Sequence, residues 1–347
     1  MTHTTVGWDI GGAHLKAALL DETGNALQVL QLACPLWRGL EVLALAVDEV
    51  LTQFNLPQTA VHAITMTGEL ADIFKDRHDG VMQIAELMEL KLAIHQRLYY
   101  AGKQGFLTFE QVAHHTMHIA SANWLATASF VAEHYNQALL IDMGSTTTDF
   151  IVISNGQVQS RGLTDAARLQ YDELIYTGMI RTPLMALAQR VPFLGEWVNV
   201  AAEHFATTAD IYRLIGYLEE AEDMSDTADG QGKTPLESAR RLARIIGRDV
   251  QDAAMPDWVN LSHAFKQAQL NLLKNAALRQ LSLGLLDADV PIVVAGAGRA
   301  VLKELAQQLN RPFYDVASLV KTHSDADRKW ASICLPAYAV ALLAADL

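Results

Sequence analysis

The chain has 347 residues, with 26 Lys and Arg against 39 Asp and Glu and a net charge of −13 at pH 7. At about 150 residues per domain that length suggests two domains, and a composition 51% apolar and 19% charged excludes a largely disordered chain. The acidic excess argues against nucleic-acid or anionic-membrane partners, and two cysteines, Cys34 and Cys334, exclude a disulfide framework and fit a reducing compartment.

The N-terminal MTHTTVGWDIGG lacks the basic-then-apolar pattern of a secretory leader, and no apolar run reaches bilayer length, so a cytoplasmic location is expected. Residues 6–10 read as a strand, Gly11-Gly12 as a turn, and 15–20 and 26–32 as two further strands, a meander with its glycine turn at the first bend. The periodicity predicts an amphipathic helix over 40–54 that stops before Pro57 and a strand over 61–66 leading into Thr67-Gly68-Glu69. Helices are predicted over 81–97 and 109–135, the second broken near Ser121-Ala122-Asn123. Residues 138–141 then end at Asp142, Gly144-Ser145-Thr146-Thr147 turn, 148–154 return, and Asn155-Gly156 marks a hairpin into a third strand over 157–161. This repeats the first meander with the strand-end acids 133 residues apart, as a duplicated domain would. Further helices are predicted over 207–218, 235–247 and 262–283, with the polar, Gly- and Asp-rich 222–233 as a surface loop. Arg240, Arg241, Arg244 and Arg248 recur at helical spacing and read as a solvated face. Residues 291–295 form a buried strand, Gly296-Ala297-Gly298 a turn into a helix from Arg299, and 330–347 an apolar terminal helix.

A carboxylate at a strand end followed by a glycine turn can do two jobs. The turn exposes backbone N–H groups as an anion nest, and the acid can hold hydrated Mg²⁺ beside phosphates. Asp9-Ile10-Gly11-Gly12 and Asp142-Met143-Gly144-Ser145 both have this form, with Lys16 adding charge and Ser145, Thr146 and Thr147 adding hydroxyls. One copy alone reads equally as a β-turn with an Asx cap; two copies in matching meanders favour the binding role. Gly296-Ala297-Gly298 reads equally as a tight strand–helix turn, and only its order after the two acidic turns favours nucleotide-type binding. Thr234-Pro235-Leu236-Glu237 is a capping box, which puts Lys233 at a helix N-terminus; a flexible capped loop is the competing reading. His114 and His118 share a helix face but lack a third ligand, so a polar face is favoured over zinc.

Strand–DIGG, strand–DMGSTTTD, strand–GAG–helix and an apolar terminal helix together resemble the actin-like ATPase and sugar-kinase superfamily. That resemblance implies an α/β fold of two duplicated actin-like ATPase (ribonuclease-H-like) domains with a ligand cleft between them. The first domain would comprise 1–137 plus 324–347, and the second 138–323 with a helical insertion. More narrowly, GWDIGGAHLKAAL, CPLWRGL, TMTGELADIF, SANWLA, IDMGSTTTDF, TGMIRTPLMALA, FATTADIYRL and DGQGKT resemble, in that order, hydantoinase/oxoprolinase-like proteins of tetrahydromethanopterin-linked one-carbon transfer. A related archaeal family joins an aminomethylfuran-methyl diphosphate to γ-glutamyltyramine in methanofuran biosynthesis, expelling diphosphate. The resemblance implies a diphosphate-releasing transferase that makes an aryl ether with a tyrosine- or glutamyltyramine-type phenol. The alternative is an ATP-dependent kinase or hydrolase of the hydantoinase/oxoprolinase type.

Carried onto this chain, the resemblance assigns Asp9 and Asp142 to catalysis and Mg²⁺. Gly11, Gly12, Lys16, Gly144, Ser145, Thr146, Thr147, Arg181 and Lys233 would meet phosphate oxygens, and Gly296 and Gly298 would form the nucleotide-like turn. Glu69 and Asp210 are candidate bases for the phenol, with Asp210 read more readily as a carboxylate near a helix start. Trp37 and Arg38 could stack on a furan or phenol ring, although a core anchor is the commoner fate of such a Trp. Mg²⁺ is the expected cofactor, and ATP is not expected under the transferase reading. Small molecules are the expected partners, with a homo-oligomer left open. A DNA-binding sensor would need a helix-turn-helix, for which the residues before the first strand leave no room. Within that third, non-enzymatic class an assembly factor for a one-carbon enzyme complex is left open.

Overall fold

The computed structural model describes residues 4–345 and 347; residues 1–3, where a leader would begin, and 346, inside the expected terminal helix, lie outside the described residues. The chain divides into two compact units, one of residues 1–137, 153–159 and 316–347 and the other of 138–152 and 160–315.

The first unit opens with the predicted meander, β1 (Thr5–Ile10), β2 (His14–Leu20) and β3 (Ala26–Ala33). There follow α1 (Leu40–Phe54), β4 (Val61–Met66), α2 (Arg77–Lys91), β5 (Gln96–Tyr100), β6 (Phe106–Leu107), α3 (Phe109–Ile119) and α4 (Asn123–Ala132). The sheet order is β3-β2-β1-β4-β5-β6, with β4 and β5 parallel to β1. β1 and β4 are buried along their whole length, as befits central strands covered on both faces. α1 buries the stripe Leu43, Ala46, Val47, Val50 and Phe54 and ends at Asn55 in the left-handed region.

The helix expected over 81–97 is corrected at both ends. It starts earlier, because Asp76 accepts from the Asp79 N–H as an N-cap, and it stops at Lys91. Residues 96–100 are a strand instead. Arg97 bonds the carbonyls of Leu92 and Ala93 and pairs with Glu89, which closes the helix end, while the backbone joins β4 in register.

The meander recurs in β7 (Gln137–Met143), β8 (Thr148–Ser154) and β9 (Gln157–Gln159), most of β7 and β8 belonging to the second unit and 153–159 to the first. Asn155 and Gly156, at φ 55° and 66°, form the turn their dipeptide predicts. Then come α5 (Asp165–Gln170), β10 (Leu174–Ile175), the hairpin β11 (Arg190–Phe193) and β12 (Glu196–Asn199), α6 (Thr208–Leu214), α7 (Pro235–Ile245), α8 (Met255–Leu281), β13 (Ile292–Ala295), α9 (Arg299–Gln308) and β14 (Phe313–Asp315). The sheet runs β10-β8-β7-β13-β14 with β9 beside β8, and β13 lies parallel to β7 and to β14. Each sheet therefore follows the same plan, a meander whose first strand is continued on its other side by two successive parallel strands.

The expected face of α7 is corrected at one position: Arg240, Arg244 and Arg248 are exposed, but Arg241 is fully buried against Asp210 and Asp229. The loop over 222–233 is likewise not all surface, since Glu222 and Asp223 are buried. The single helix expected over 330–347 is two, α10 (Asp325–Ile333) and α11 (Leu335–Ala345). Pro336 has no N–H with which to continue the ladder of α10. α11 is buried on nearly all sides, against β1, β2, β4 and α4. Among the described residues, no helix is long and apolar enough to cross a membrane.

Candidate active site

In the first unit Asp9 is the penultimate residue of β1 and is 2% exposed. It stands opposite Lys16 in the β1–β2 register, and Lys16 Nζ lies 3.4 Å from its Oδ2. Asn123, the first residue of α4, donates from Nδ2 to its Oδ1 at 3.2 Å. The glycine turn that follows is tied on both sides. Gly11 N–H donates to the His14 carbonyl at 3.0 Å, and Leu36 N–H donates to the Gly12 carbonyl at 2.9 Å. That last bond brings the helical turn Leu36–Arg38, and with it Trp37 and Arg38, beside the glycines; Trp37 is 44% exposed. Cys34, two residues before Leu36, is buried, and that burial pushes its thiol up to about 11.

Glu69 lies just past β4 in a turn joined to β1 by the bond from Thr67 N–H to the Ile10 carbonyl at 2.9 Å. It is buried and accepts from Ser121 Oγ at 2.8 Å. Ser121 holds φ 52°, a left-handed conformation rare for a residue other than glycine. The break between α3 and α4 thus delivers Ser121 to one carboxylate and Asn123 to another. Reading the sequence located the break but missed these two residues; their polar side chains in an otherwise apolar helix junction are the signal.

In the second unit Asp142 is the penultimate residue of β7. Gly144 N–H donates to the Thr147 carbonyl at 2.9 Å and closes the turn. The segment 177–181 runs along it: Met179 N–H meets the Gly144 carbonyl at 2.9 Å, and Ile180 and Arg181 N–H meet the Ser145 carbonyl at 3.0 and 2.9 Å. Arg181 Nη1 reaches Thr146 Oγ1 at 3.4 Å, and burial lowers the pKa of its guanidinium. The Gly296–Gly298 turn is built onto the same place. Gly298 N–H donates to the Met143 carbonyl at 2.9 Å, and a Cβ on Gly296, which holds φ 82°, would overlap Asp142 Oδ1.

Asp210 and Lys233 belong to a different cluster of that unit. Asp210 accepts from Thr207 N–H at 3.0 Å as part of a capping box and from Arg241 Nε at 2.8 Å. Burial pushes its carboxyl up, against the pull of Arg241. Lys233 Nζ donates to the Asp223 carbonyl at 2.6 Å and lies 3.4 Å from that residue's carboxylate, which also pairs with Arg213. α6 joins the 177–182 segment through the bonds from Ala209 N–H to the Ile180 carbonyl and from Thr208 N–H to the Thr182 carbonyl. On α3 the rings of His115 and His118 meet at 5.8 Å. Among the described residues no three His, Cys, Asp or Glu side chains gather as a metal cage.

Residues 60–322 match the model of the hydantoinase/oxoprolinase family. The chain is 31% identical over 343 residues, covering 97% of its own length and 96% of the relative's, to a (γ-L-glutamylaminoethyl)phenoxymethyl-furanylmethanamine synthase of Methanocaldococcus jannaschii. It is 30% identical over 219 residues, 62% of this chain and 95% of the relative, to the synthase of the same name from Methanococcus vannielii. Among solved structures, a ROK family glucokinase from Streptomyces griseus with glucose and AMPPNP is similar at TM-score 0.50 and 13% identity, over 98% of both chains. Nucleotide-free acetone carboxylase is similar at TM-score 0.56 and 10% identity, over 89% of this chain and 68% of that one. With the repeated sheet plan, these likenesses give two duplicated domains of the actin-like ATPase and sugar-kinase fold. By its family match and its near-full-length relative, the chain belongs to the hydantoinase/oxoprolinase family.

Proposed function

We propose that the protein is a transferase of methanofuran biosynthesis, in which a tyrosine- or glutamyltyramine-type phenol displaces diphosphate from an aminomethylfuran-methyl diphosphate. The observation that carries this reading is the near-full-length likeness to a synthase whose named product is a furanyl methanamine bearing a phenoxymethyl ether. The two acid–glycine turns support it, since the leaving group is the kind of anion such turns hold.

The phenol gives up its proton, its oxygen bonds to the furan-linked methylene carbon, and the bond from that carbon to diphosphate breaks with the electron pair leaving on oxygen. In the first unit Gly11, Gly12 and Lys16 are the proposed phosphate ligands; in the second, Gly144, Ser145, Thr146, Thr147 and Arg181. The Arg181 guanidinium, desolvated beside Thr146, gains more from an anion than a solvated one would. Each turn carries one strand-end carboxylate, a donor set that suits Mg²⁺, which keeps waters and phosphate oxygens in its shell rather than a protein cage. Mg²⁺ held at the carboxylate of either turn, Asp9 in the first unit or Asp142 in the second, would supply neutralising charge to phosphate oxygens in that turn. Lys16 and Asn123 engage different oxygens of Asp9 and fix its orientation, with lone pairs to spare. Glu69 is the preferred base, because both oxygens of Asp210 are bound by Thr207 and Arg241. Trp37, half exposed beside the first turn, is the proposed ring platform, with Arg38 next to it. Asp210 and Lys233 then act by holding α6 and its loop in place.

Incubation with the furan diphosphate, glutamyltyramine or tyrosine, and Mg²⁺ is expected to yield aryl ether and diphosphate in equal amounts, and excess chelator to stop the reaction. Failure to form product under conditions where the archaeal relative turns over would overturn the reading. ATP-dependent phosphoryl transfer is the second reading. The observation in its favour is the Gly296–Gly298 turn packed on Asp142, and tight ATP binding by calorimetry, with ATP consumed in turnover, would select it.

A further inference from the structure

One fully buried polar side chain has no part in the chemistry above. Gln269 lies in the middle of α8 and is 0% exposed. Its amide is fully committed: Nε2 donates to Thr177 Oγ1 at 2.8 Å and to the Gly178 carbonyl at 2.9 Å, and Oε1 accepts from the hydroxyl of buried Tyr212 on α6. A primary amide is costly in a core unless all its groups are paired, and an aliphatic side chain could fill the same volume. What an aliphatic residue could not do is hold the 177–178 backbone at a set height and angle.

That backbone is the outer wall of the second acid–glycine turn. Thr148 Oγ1 donates to the Thr177 carbonyl at 2.6 Å. Gly178 sits so close to the turn that a Cβ there would lie 2.6 Å from Ser145 C and from Thr146 N. The next three residues send their N–H groups to the carbonyls of Gly144 and Ser145, and Arg181 then places its guanidinium at Thr146. A shift of Gly178 would therefore be passed directly to Ser145 and Thr146, since close-packed backbone has no slack to absorb it.

We infer that Gln269 is a positioning residue for the phosphate-binding turn of the second unit. It acts through Thr177 and Gly178 on the amides and hydroxyls of Ser145 and Thr146, and on Arg181. This rests on the reading of that turn as a diphosphate holder. Misplacement by about 1 Å can cost on the order of 100-fold in rate, so an effect of about 10- to 100-fold is expected from a residue one contact removed.

The test compares Gln269→Met, which keeps the volume and removes three hydrogen bonds, with Tyr212→Phe, which removes one and leaves both amide donors in place. The readouts are folding by circular dichroism, affinity for inorganic diphosphate with Mg²⁺ by calorimetry, and steady-state kinetics. Folded Gln269→Met is expected to bind diphosphate at least about tenfold more weakly and to lose kcat in step, with KM for the phenol unchanged; Tyr212→Phe should fall between it and the unaltered protein. A merely structural role would lower the folded fraction but leave diphosphate affinity per folded molecule intact. That outcome in Gln269→Met overturns the inference, as it does in Tyr212→Phe should Gln269→Met not fold. If the unaltered protein itself binds no diphosphate, the reading of the turn falls and takes the inference with it.

Discussion

Asn123 hydrogen-bonds Asp9 at 3.2 Å across 114 positions of sequence, and Ser121, two residues before it, hydrogen-bonds Glu69 at 2.8 Å. A single helix junction therefore orients two carboxylates, one on β1 and one on the turn that follows its parallel neighbour β4. The left-handed backbone of Ser121 is what lets the chain face both in so short a span.

Removing Asn123 should unpin Asp9. Asn123→Ala deletes a hydrogen bond to a charged group, worth about 1.5–3 kcal/mol, part of which will appear as lost stability in urea unfolding. The rate should fall about tenfold or more, and the Mg²⁺ concentration for half-maximal activity should rise, because the carboxylate no longer has one orientation. Unchanged rate and Mg²⁺ dependence would show that Asn123 serves packing alone.

The glycines separate binding from folding. A Cβ on Gly12 meets nothing within 4 Å, one on Gly144 meets only the Thr147 carbonyl at 3.7 Å, and neither residue has a positive φ. Gly12→Ala and Gly144→Ala should therefore melt within a few degrees of the unaltered protein, yet lose about 100-fold or more in activity as methyl groups enter the space of the phosphate oxygens. Gly296→Ala is the converse. Its backbone conformation and its overlap with Asp142 should cost about 1–3 kcal/mol in stability as well as activity. Normal activity in Gly12→Ala and Gly144→Ala would remove those turns from the substrate.

Much of this was open to reading because it is local. Short apolar or β-branched runs mark β1, β2, β7 and β8, and an acid two residues before a glycine marks where β1 and β7 end. What stayed hidden depends on partners distant in sequence. Gln96–Tyr100 continues the apolar spacing of α2 and is a strand only because β4 offers it an edge and Arg97 closes the helix before it. The three arginines of α7 and Arg248 beyond it look alike at helical spacing, and only the carboxylates of Asp210 and Asp229, from a different helix and a loop, select Arg241 for burial. Asn123 and Ser121 look like helix-junction residues until β1 and the Glu69 turn are placed beside them.

Arg241 should be the costliest single loss in the second unit's ion network. It is fully buried and serves Asp210, Asp229 and the Gly232 carbonyl. Arg241→Met removes their fully buried cation and leaves Asp210 only Arg213 at 3.4 Å and Asp229 only the half-exposed Arg244, and breaking a buried pair in this way costs about 3–5 kcal/mol. Arg244→Met, whose side chain is half exposed, should cost about 1 kcal/mol or less. Equal effects of the two in urea unfolding would mean that Arg241 is solvated after all.

Asp229 gives that network a pH dependence with a definite sign. Burial alone would push its carboxyl up, but the Gln231 N–H and the guanidiniums of Arg241 and Arg244 outweigh burial and hold it below its usual range. The folded state then binds a proton here less readily than the unfolded chain. The stabilisation is complete above the unfolded carboxyl value, about 3.9, and is lost as pH falls through the lower folded value. Asp229→Asn, which leaves Asp210 in place, should therefore be less stable than the unaltered protein near neutrality. The gap should narrow as urea unfolding is repeated below about pH 4, where the unaltered protein loses its advantage. A gap that stays constant over that range would show that Asp229 titrates alike in the folded and unfolded chains, and that Arg241 is held by Asp210 alone.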